Sequence, residues 1–240
     1  MGITKVTKIA RRFLRLKPCG AVIVAAGNAS RMGGIDKVMA SLGGEPMIVR
    51  TVRAFQNSPQ IDEIVIVTRQ DLIQPIMDYC GGFDKVQTVT VGGESRQESV
   101  EIGLSVLTAD MEMVAVHDGA RPLVTQEVIA RTVRAAANSG AAAPAIPVKD
   151  TIKQVEGETI IVTPDRNCLR AGQTPQVFQV QLLKKALQKA KEDQAVVTDD
   201  CAAVERLGVA VRLVEGQERN LKVTTPMDLK IAELWLEEEL

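Results

Sequence analysis

Aromatic side chains are scarce, with one Trp, one Tyr and four Phe among 240 residues. Proteins that hold single-stranded nucleic acid stack bases on aromatic rings, and so few rings build no such platform. An excess of charge of one sign is missing too, since 29 basic residues face 30 acidic ones; a dedicated nucleic-acid binder carries a strong positive field. Cys19, Cys80, Cys168 and Cys201 are scattered without a C-x-x-C pair, so neither a zinc site nor a disulfide framework is suggested, and a reducing cytoplasm fits. A membrane span of ~20 apolar residues is also lacking. The uncharged stretch between Arg134 and Lys149 is interrupted by Asn138, Gly140, Pro144 and Pro147. The expectation is a cytoplasmic protein with no membrane and no nucleic-acid partner.

Apolar residues are plentiful, at 45%, enough for a sizeable core in one domain. Charge is unevenly spread. Lys5, Lys8, Arg11, Arg12, Arg15 and Lys17 meet no acid before residue 18, leaving 23 basic against 30 acidic residues in the rest. Residues 1–18 therefore read as a basic, flexible leader, with Val6, Ile9, Ala10, Phe13 and Leu14 at the spacing of an amphipathic helix as the alternative. Arginines break every apolar run there before a secretory h-region can form.

From residue 19 onward the chain alternates. Short β-branched runs, AVIVA (21–25), EIVIVT (63–68), VQTVTV (86–91) and MVAVH (113–117), each precede a helical pattern or a loop leading to one. Pro46 starts a helix whose Ile48, Val49, Val52 and Phe55 share a face. Thr125 caps another through Val128, Ile129, Val133 and Ala136, which Gly140 stops. Further helices are expected near 180–191 and 199–207, a strand near 209–214, and a last helix at Pro226. Such alternation predicts an α/β, three-layer, Rossmann-like sheet, mostly parallel, with helices on both faces. One segment departs: over 148–166, two alternating stretches flank Glu156-Gly157-Glu158, which reads as a protruding β-hairpin arm. With little apolar content of its own, such a hairpin has to pack on something else.

Ligands of open parallel sheets bind beyond the carboxyl ends of strands. After the first strand, Ala25, Ala26 and Gly27 lack bulk, so their amides can approach a ligand closely, and Arg31 and Lys37 supply positive charge for a triphosphate. The loop fits neither G-x-x-x-x-G-K-[ST] nor the dinucleotide fingerprint, and taken alone it is equally an ordinary solvated turn. Two more strand ends bring polar groups: VGGESRQESV (91–100), where Arg96 and Ser99 can hydrogen-bond a base, and VHDGARP (116–122), where Asp118 can ligate magnesium beside phosphates. His117 reads as structural, because an ionised phosphate nucleophile needs no base.

In order along the chain, A-A-G-x-x-x-R-M followed by Lys37, G-G-x-x-R-x-x-S-V, H-D-G-A-R-P, V-K-D-T-I-K, D-R-N, T-P-Q-x-F and N-L-K-V-T-T-P-M-D-L together resemble the 2-C-methyl-D-erythritol 4-phosphate cytidylyltransferase family, over the chain from about Cys19 to its end. The resemblance implies transfer of CMP from CTP to methylerythritol phosphate by a homodimer using Mg2+, with one nucleotidyltransferase domain over 19–240. It implies that Arg31, Lys37 and Lys222 act on the triphosphate. Ala25, Ala26, Gly27, Gly93, Glu94, Ser99 and Gly119 would line the CTP pocket, with Asp118 on the metal. Arg121, Thr151, Arg166 and Thr174 would bind the polyol phosphate, Thr151 and Arg166 reaching from the hairpin into the partner's site. This chain departs from the family pattern at Ala29, where a second glycine is usual, in a shorter run from Arg31 to Lys37, and at Gly119 and Glu94, where alanine and aspartate are common. A ribitol 5-phosphate cytidylyltransferase and a catalytically silent CTP-binding regulator are the rival readings.

Overall fold

The computed structural model describes residues 17–27 and 36–237. Most of the basic leader, the segment 28–35 with Arg31 and Ala29, and the last three residues lie outside the described residues.

The first strand, β1 (Cys19–Val24), lies inside the main sheet between two parallel neighbours. Its side chains alternate between two cores: Ala21 and Ile23 face one, Val22 the other. A short 3-10 turn (Lys37–Met39) and the paired β2 (Ser41–Leu42) and β3 (Glu45–Pro46) lead to α1 (Met47–Gln56). Pro46 stands at the cap of α1, and Ile48, Val49, Val52 and Phe55 are buried, as their spacing predicts. There follow β4 (Glu63–Thr68), α2 (Ile73–Cys80), β5 (Val86–Val91), α3 (Arg96–Val106), β6 (Met113–Asp118) and α4 (Gln126–Ser139). The Thr125 hydroxyl accepts the Val128 N–H, and Gly140 ends α4 at φ 86°, a left-handed conformation that glycine adopts without a Cβ penalty.

The sheet has eight strands: β7 (Ala141–Pro147), β10 (Arg170–Gly172), β11 (Gln176–Gln179) and β12 (Arg212–Glu215) join the four above. Across the sheet the order is β10-β7-β11-β6-β1-β4-β5, with β12 also paired to β7. α1, α2 and α4 cover one face; α3, α5 (Val180–Glu192) and α6 (Asp200–Glu205) cover the other. This is the three-layer α/β architecture expected. The chain runs outward from β1 to β4 and β5, then returns to place β6 on the other side of β1. That reversal opens a crevice at the carboxyl ends of β1, β4, β5 and β6.

Two features differ from the alternation read in the sequence. Strand β7 has the sequence AAAPAIP; alanine and proline are poor strand formers, and burial between β11 and flanking helices overrides that preference. Strand β11 runs antiparallel to both β6 and β7, because no helical crossover separates it from β7, which α4 has placed parallel to β6. The hairpin is present but shorter than 148–166, as β8 (Gln154–Glu156) and β9 (Thr159–Val162) turning at Gly157, with every residue of both strands exposed. The last helix, α7 (Pro226–Glu237), begins where Asp228 accepts the Thr224 and Thr225 N–H groups and the Thr225 hydroxyl accepts the Asp228 N–H. Among the described residues no helix is long and apolar enough to cross a membrane.

Candidate active site

Backbone hydrogen bonds continue past the strand ends and bring their loops together. Ala25 N–H donates to Val67 O (2.7 Å), Gly92 N–H to Thr68 O (2.7 Å) and Gly119 N–H to Val24 O (2.8 Å). Only glycine fits at position 92, where a Cβ would stand 2.6 Å from both the Ala26 Cβ and the Ser99 Oγ. Beyond it, Ser95 caps α3 by accepting the Glu98 N–H, while Glu98 reaches back to the Glu94 N–H (2.8 Å). Ser99 accepts the Gly93 N–H (3.2 Å) and donates to Ser95 O (2.9 Å), which fixes the glycine pair against the helix.

These loops enclose a cavity of about 400 Å³. Ala25, Ala26, Gly27, Lys37, Gly93, Glu94, Arg96, Ser99, Asp118 and Lys222 line it, ten of the residues the sequence singled out, from four separate stretches of chain. Gly119 stands just behind, where a Cβ would lie 3.1 Å from that of Ala25. Arg31 lies outside the described residues.

Charge in the cavity centres on Asp118 at the end of β6. Lys222 Nζ lies 3.1 Å from its carboxylate, Arg121 Nε 3.3 Å and Arg96 Nε 3.7 Å. Burial alone would push the Asp118 carboxyl up; Lys222, Arg96 and Arg121 outweigh it and hold the group well below the usual carboxylate range. Lys222 is itself held from both sides. The buried Asn220 amide donates to Thr174 O (2.8 Å) and Asn220 O accepts from Arg121 (2.6 Å), while Val223 N–H donates to Ala120 O (2.8 Å). A fixed carboxylate thus keeps three cations converged, an arrangement suited to receiving a polyphosphate.

His117 is fully buried, 4.8 Å from the Phe55 ring. Its Nδ1 lies 2.9 Å from Thr174 Oγ1, and its Nε2 lies 3.1 Å from Arg121 O. The Thr174 hydroxyl also accepts the Asp118 N–H (3.1 Å). The assignment that satisfies all three has Thr174 donating to Nδ1 and a neutral imidazole donating from Nε2 to Arg121 O. Burial pulls the His117 value down to about 4, which keeps the ring neutral near pH 7. The same network puts Thr174 behind Asp118, 4% exposed and off the cavity wall.

Thr151 and Arg166 do not line this cavity. They lie at the base of the exposed arm, where Arg166 donates to Lys149 O (3.0 Å) beside Asn167 and Arg170 in a separate shallow concavity.

Arg96, read from sequence as a base contact, lines the cavity and also pairs with Asp200 (2.8 Å), a carboxylate 1% exposed. Burial pulls the Arg96 guanidinium down, and Asp200 together with Asp118 and Asp199 more than restores it. Gln176 holds Asp200 in turn, its amide oxygen accepting the Asp200 and Cys201 N–H groups and its nitrogen donating to Asp199 (2.6 Å). The sequence reading did not single out Asp200 or Gln176; the signal available was a pair of acids, Asp199-Asp200, opening a helix. It also overlooked Arg69, which lines the cavity just after β4, although the strand-end reasoning applied to β1, β5 and β6 applies equally to β4.

The model of the 2-C-methyl-D-erythritol 4-phosphate cytidylyltransferase family matches residues 19–238. A protein of that name from Caldanaerobacter subterraneus is 46% identical over 225 residues, covering 90% of this chain and 97% of the relative; one from Symbiobacterium thermophilum is also 46% identical, covering 92% and 94%. Among solved structures, a 4-diphosphocytidyl-2C-methyl-D-erythritol synthase from Anaerococcus prevotii superposes with a TM-score of 0.84 at 29% identity, covering 94% of this chain and 99% of the other. A 2-C-methyl-D-erythritol 4-phosphate cytidylyltransferase from Thermus thermophilus gives 0.75 at 32%, covering 92% and 99%. With the match running from β1 through α7 and the fold shared throughout, this chain belongs to the 2-C-methyl-D-erythritol 4-phosphate cytidylyltransferase family.

Proposed function

We propose that this chain transfers CMP from CTP to 2-C-methyl-D-erythritol 4-phosphate, forming 4-diphosphocytidyl-2-C-methyl-D-erythritol and pyrophosphate. The observation that carries the reading is the convergence of Lys37, Lys222 and Arg96 on a small-residue cavity around Asp118. An oxygen of the acceptor phosphate attacks the α-phosphorus of CTP in line. The new P–O bond forms as the bond to the bridging oxygen of the β-phosphate breaks, and pyrophosphate leaves with that electron pair. The acceptor oxygen is already ionised, so no side chain has to remove a proton. Lys37 and Lys222, with Arg31, neutralise charge on the five-coordinate phosphorus. Ala25, Ala26, Gly27, Gly93, Glu94, Ser99 and Gly119 shape the cytidine side.

Asp118 and Glu94 bring two carboxylates to the cavity, and the described residues hold no group of three or more His, Cys, Asp or Glu able to bind a metal by themselves. That donor set fits Mg2+, which takes one or two carboxylates and fills its remaining positions with phosphate oxygens and water. When bound, Mg2+ would neutralise phosphate charge; Asp118 is the residue that would hold it.

The acceptor half of the site is assigned to a homodimer. Ile152, Val155, Ile160, Ile161 and Val162 are exposed on the arm, an apolar surface that a second copy of the chain would cover. The arm would carry Thr151 and Arg166 to the partner's cavity, where they meet the polyol phosphate with Arg121; Thr174 serves by fixing Asp118. The enzyme works in the cytoplasm.

Pyrophosphate release from CTP and Mg2+, measured with methylerythritol 4-phosphate beside ribitol 5-phosphate, tests the proposal. Preference for the first is expected. Preference for ribitol phosphate overturns the acceptor assignment, and tight CTP binding without turnover points to a regulator.

A further inference from the structure

Lys37 opens a turn only three residues long, and so short a 3-10 segment has little stability of its own. Several contacts hold it, two of them on either side of Lys37. Val38, 2% exposed, packs into the core formed with α1 and α4. Asp36 holds the other side with its two carboxylate oxygens. Oδ1 accepts the Val38 N–H (3.1 Å), capping the turn, and Oδ2 lies 2.6 Å from Arg69 Nη2. Arg69 follows β4 directly, so its backbone is tied to the sheet, and its guanidinium is aimed by a second carboxylate, Asp71, at 3.0 and 2.8 Å. The Asp36 and Arg69 side chains are 16% and 25% exposed, a degree of burial that spares the pair much of the screening that weakens surface ion pairs.

We propose that the Asp36–Arg69 ion pair is a strut that sets the position of Lys37 in the nucleotide cavity, which makes Arg69 a positioning residue for cytidylyl transfer. The inference rests on the cytidylyltransferase reading for its catalytic consequence, though not for its geometry. The core anchors the turn through Val38, and Ala40 O accepts the Met47 N–H (2.9 Å), which fixes the far side of the turn to α1. The strut fixes the near side by joining Asp36 to the end of β4. It also neutralises Asp36 next to a cavity meant for an anion, since an unpaired carboxylate beside Lys37 would compete with phosphate for its ammonium group. An error of about 1 Å in placing such a group is enough to cost two orders of magnitude in rate, so a rigid mount for Lys37 matters more to turnover than to folding.

A double-mutant cycle with Asp36→Asn, which keeps the capping oxygen and removes the charge, and Arg69→Met, which keeps an apolar stem, tests this. Hydrogen exchange at the amides of residues 37–40 is read without substrates, and kcat and KM for CTP are read with them. Each single variant is expected to speed exchange at Val38 about tenfold and to lower kcat/KM for CTP about tenfold, and the double variant to be no worse than either. KM for the acceptor phosphate and the melting temperature should stay at wild-type values. Unchanged exchange and kinetics in the single variants overturn the strut. Effects that multiply in the double variant also overturn it, because Arg69 would then act on the nucleotide independently of Asp36. If the wild-type protein turns over no CTP while exchange follows the predicted cycle, the strut stands and the assigned reaction falls.

Discussion

Asp118 presents a negative charge to a cavity proposed for CTP, the reverse of what simple attraction asks. The contradiction resolves because the carboxylate is outnumbered: Lys222, Arg121 and Arg96 all point at it. It serves as a hub that keeps three cations in one place before any phosphate arrives. Lys37→Ala, which removes a cation at the cavity without disturbing that hub, should lower kcat by roughly a hundredfold, by analogy with a lost oxyanion donor. Thermal melting within a degree or two of wild type would show that the loss is chemical. His117 makes the opposite kind of prediction, about stability. Its folded value of about 4 lies below the ordinary 6.5, so between these pH values the unfolded chain binds a proton that the folded chain refuses. The contribution is complete above pH 6.5 and is lost as pH falls toward 4, on the order of 3 kcal/mol across the window. Urea unfolding at pH 7 and pH 4.5 should show a steeper loss for wild type than for His117→Asn, the chain's one histidine having been removed. Equal losses would mean that His117 is not buried neutral.

At the scale of elements, the arm is the part that the proposed homodimer would explain. Ile160 and Ile161, next to each other on β9, are both 56% exposed, although successive strand residues point to opposite sides. Against the little apolar content expected of it, the arm is apolar on both sides, which fits insertion into a partner. Ile160→Asp with Ile161→Asp should leave a folded monomer by sedimentation, with turnover nearly abolished; a dimer of normal mass would place the interface elsewhere. Legibility in the sequence followed the same division. Helix α4 was readable in full, because a Thr cap, a 3.6-residue apolar stripe and a terminal glycine all agree over 125–140. The arm was readable from its turn. Strand β7 was not, since AAAPAIP carries no strand signal and becomes a strand only through burial between its neighbours. Strand β11 inherits its direction from the path of the arm before it, which local pattern does not encode.

For the molecule as a whole, the order of strands determines where chemistry can occur, and most of that was accessible from sequence because polar, small-residue clusters stand immediately after apolar runs at β1, β5 and β6. What stayed hidden were partners met across distance: Asp200 for Arg96, Arg69 for Asp36 and Thr174 for His117. Each pairs segments more than 30 positions apart and has no local signature. If sites are shared between subunits, inactive variants should complement one another. Mixing Lys222→Ala with Arg166→Ala under subunit exchange would leave each mixed dimer one site with both an intact cavity and an intact partner arm, restoring about a quarter of wild-type activity for random pairing. No recovery would confine the whole site to one chain. The most direct single measurement is kcat of Lys222→Ala at saturating CTP, Mg2+ and methylerythritol 4-phosphate. A fall of roughly a hundredfold or more in a folded protein is the result predicted if cations gathered by Asp118 stabilise the reacting phosphorus. A variant that keeps most of its kcat would contradict that claim and remove Lys222 from the chemistry.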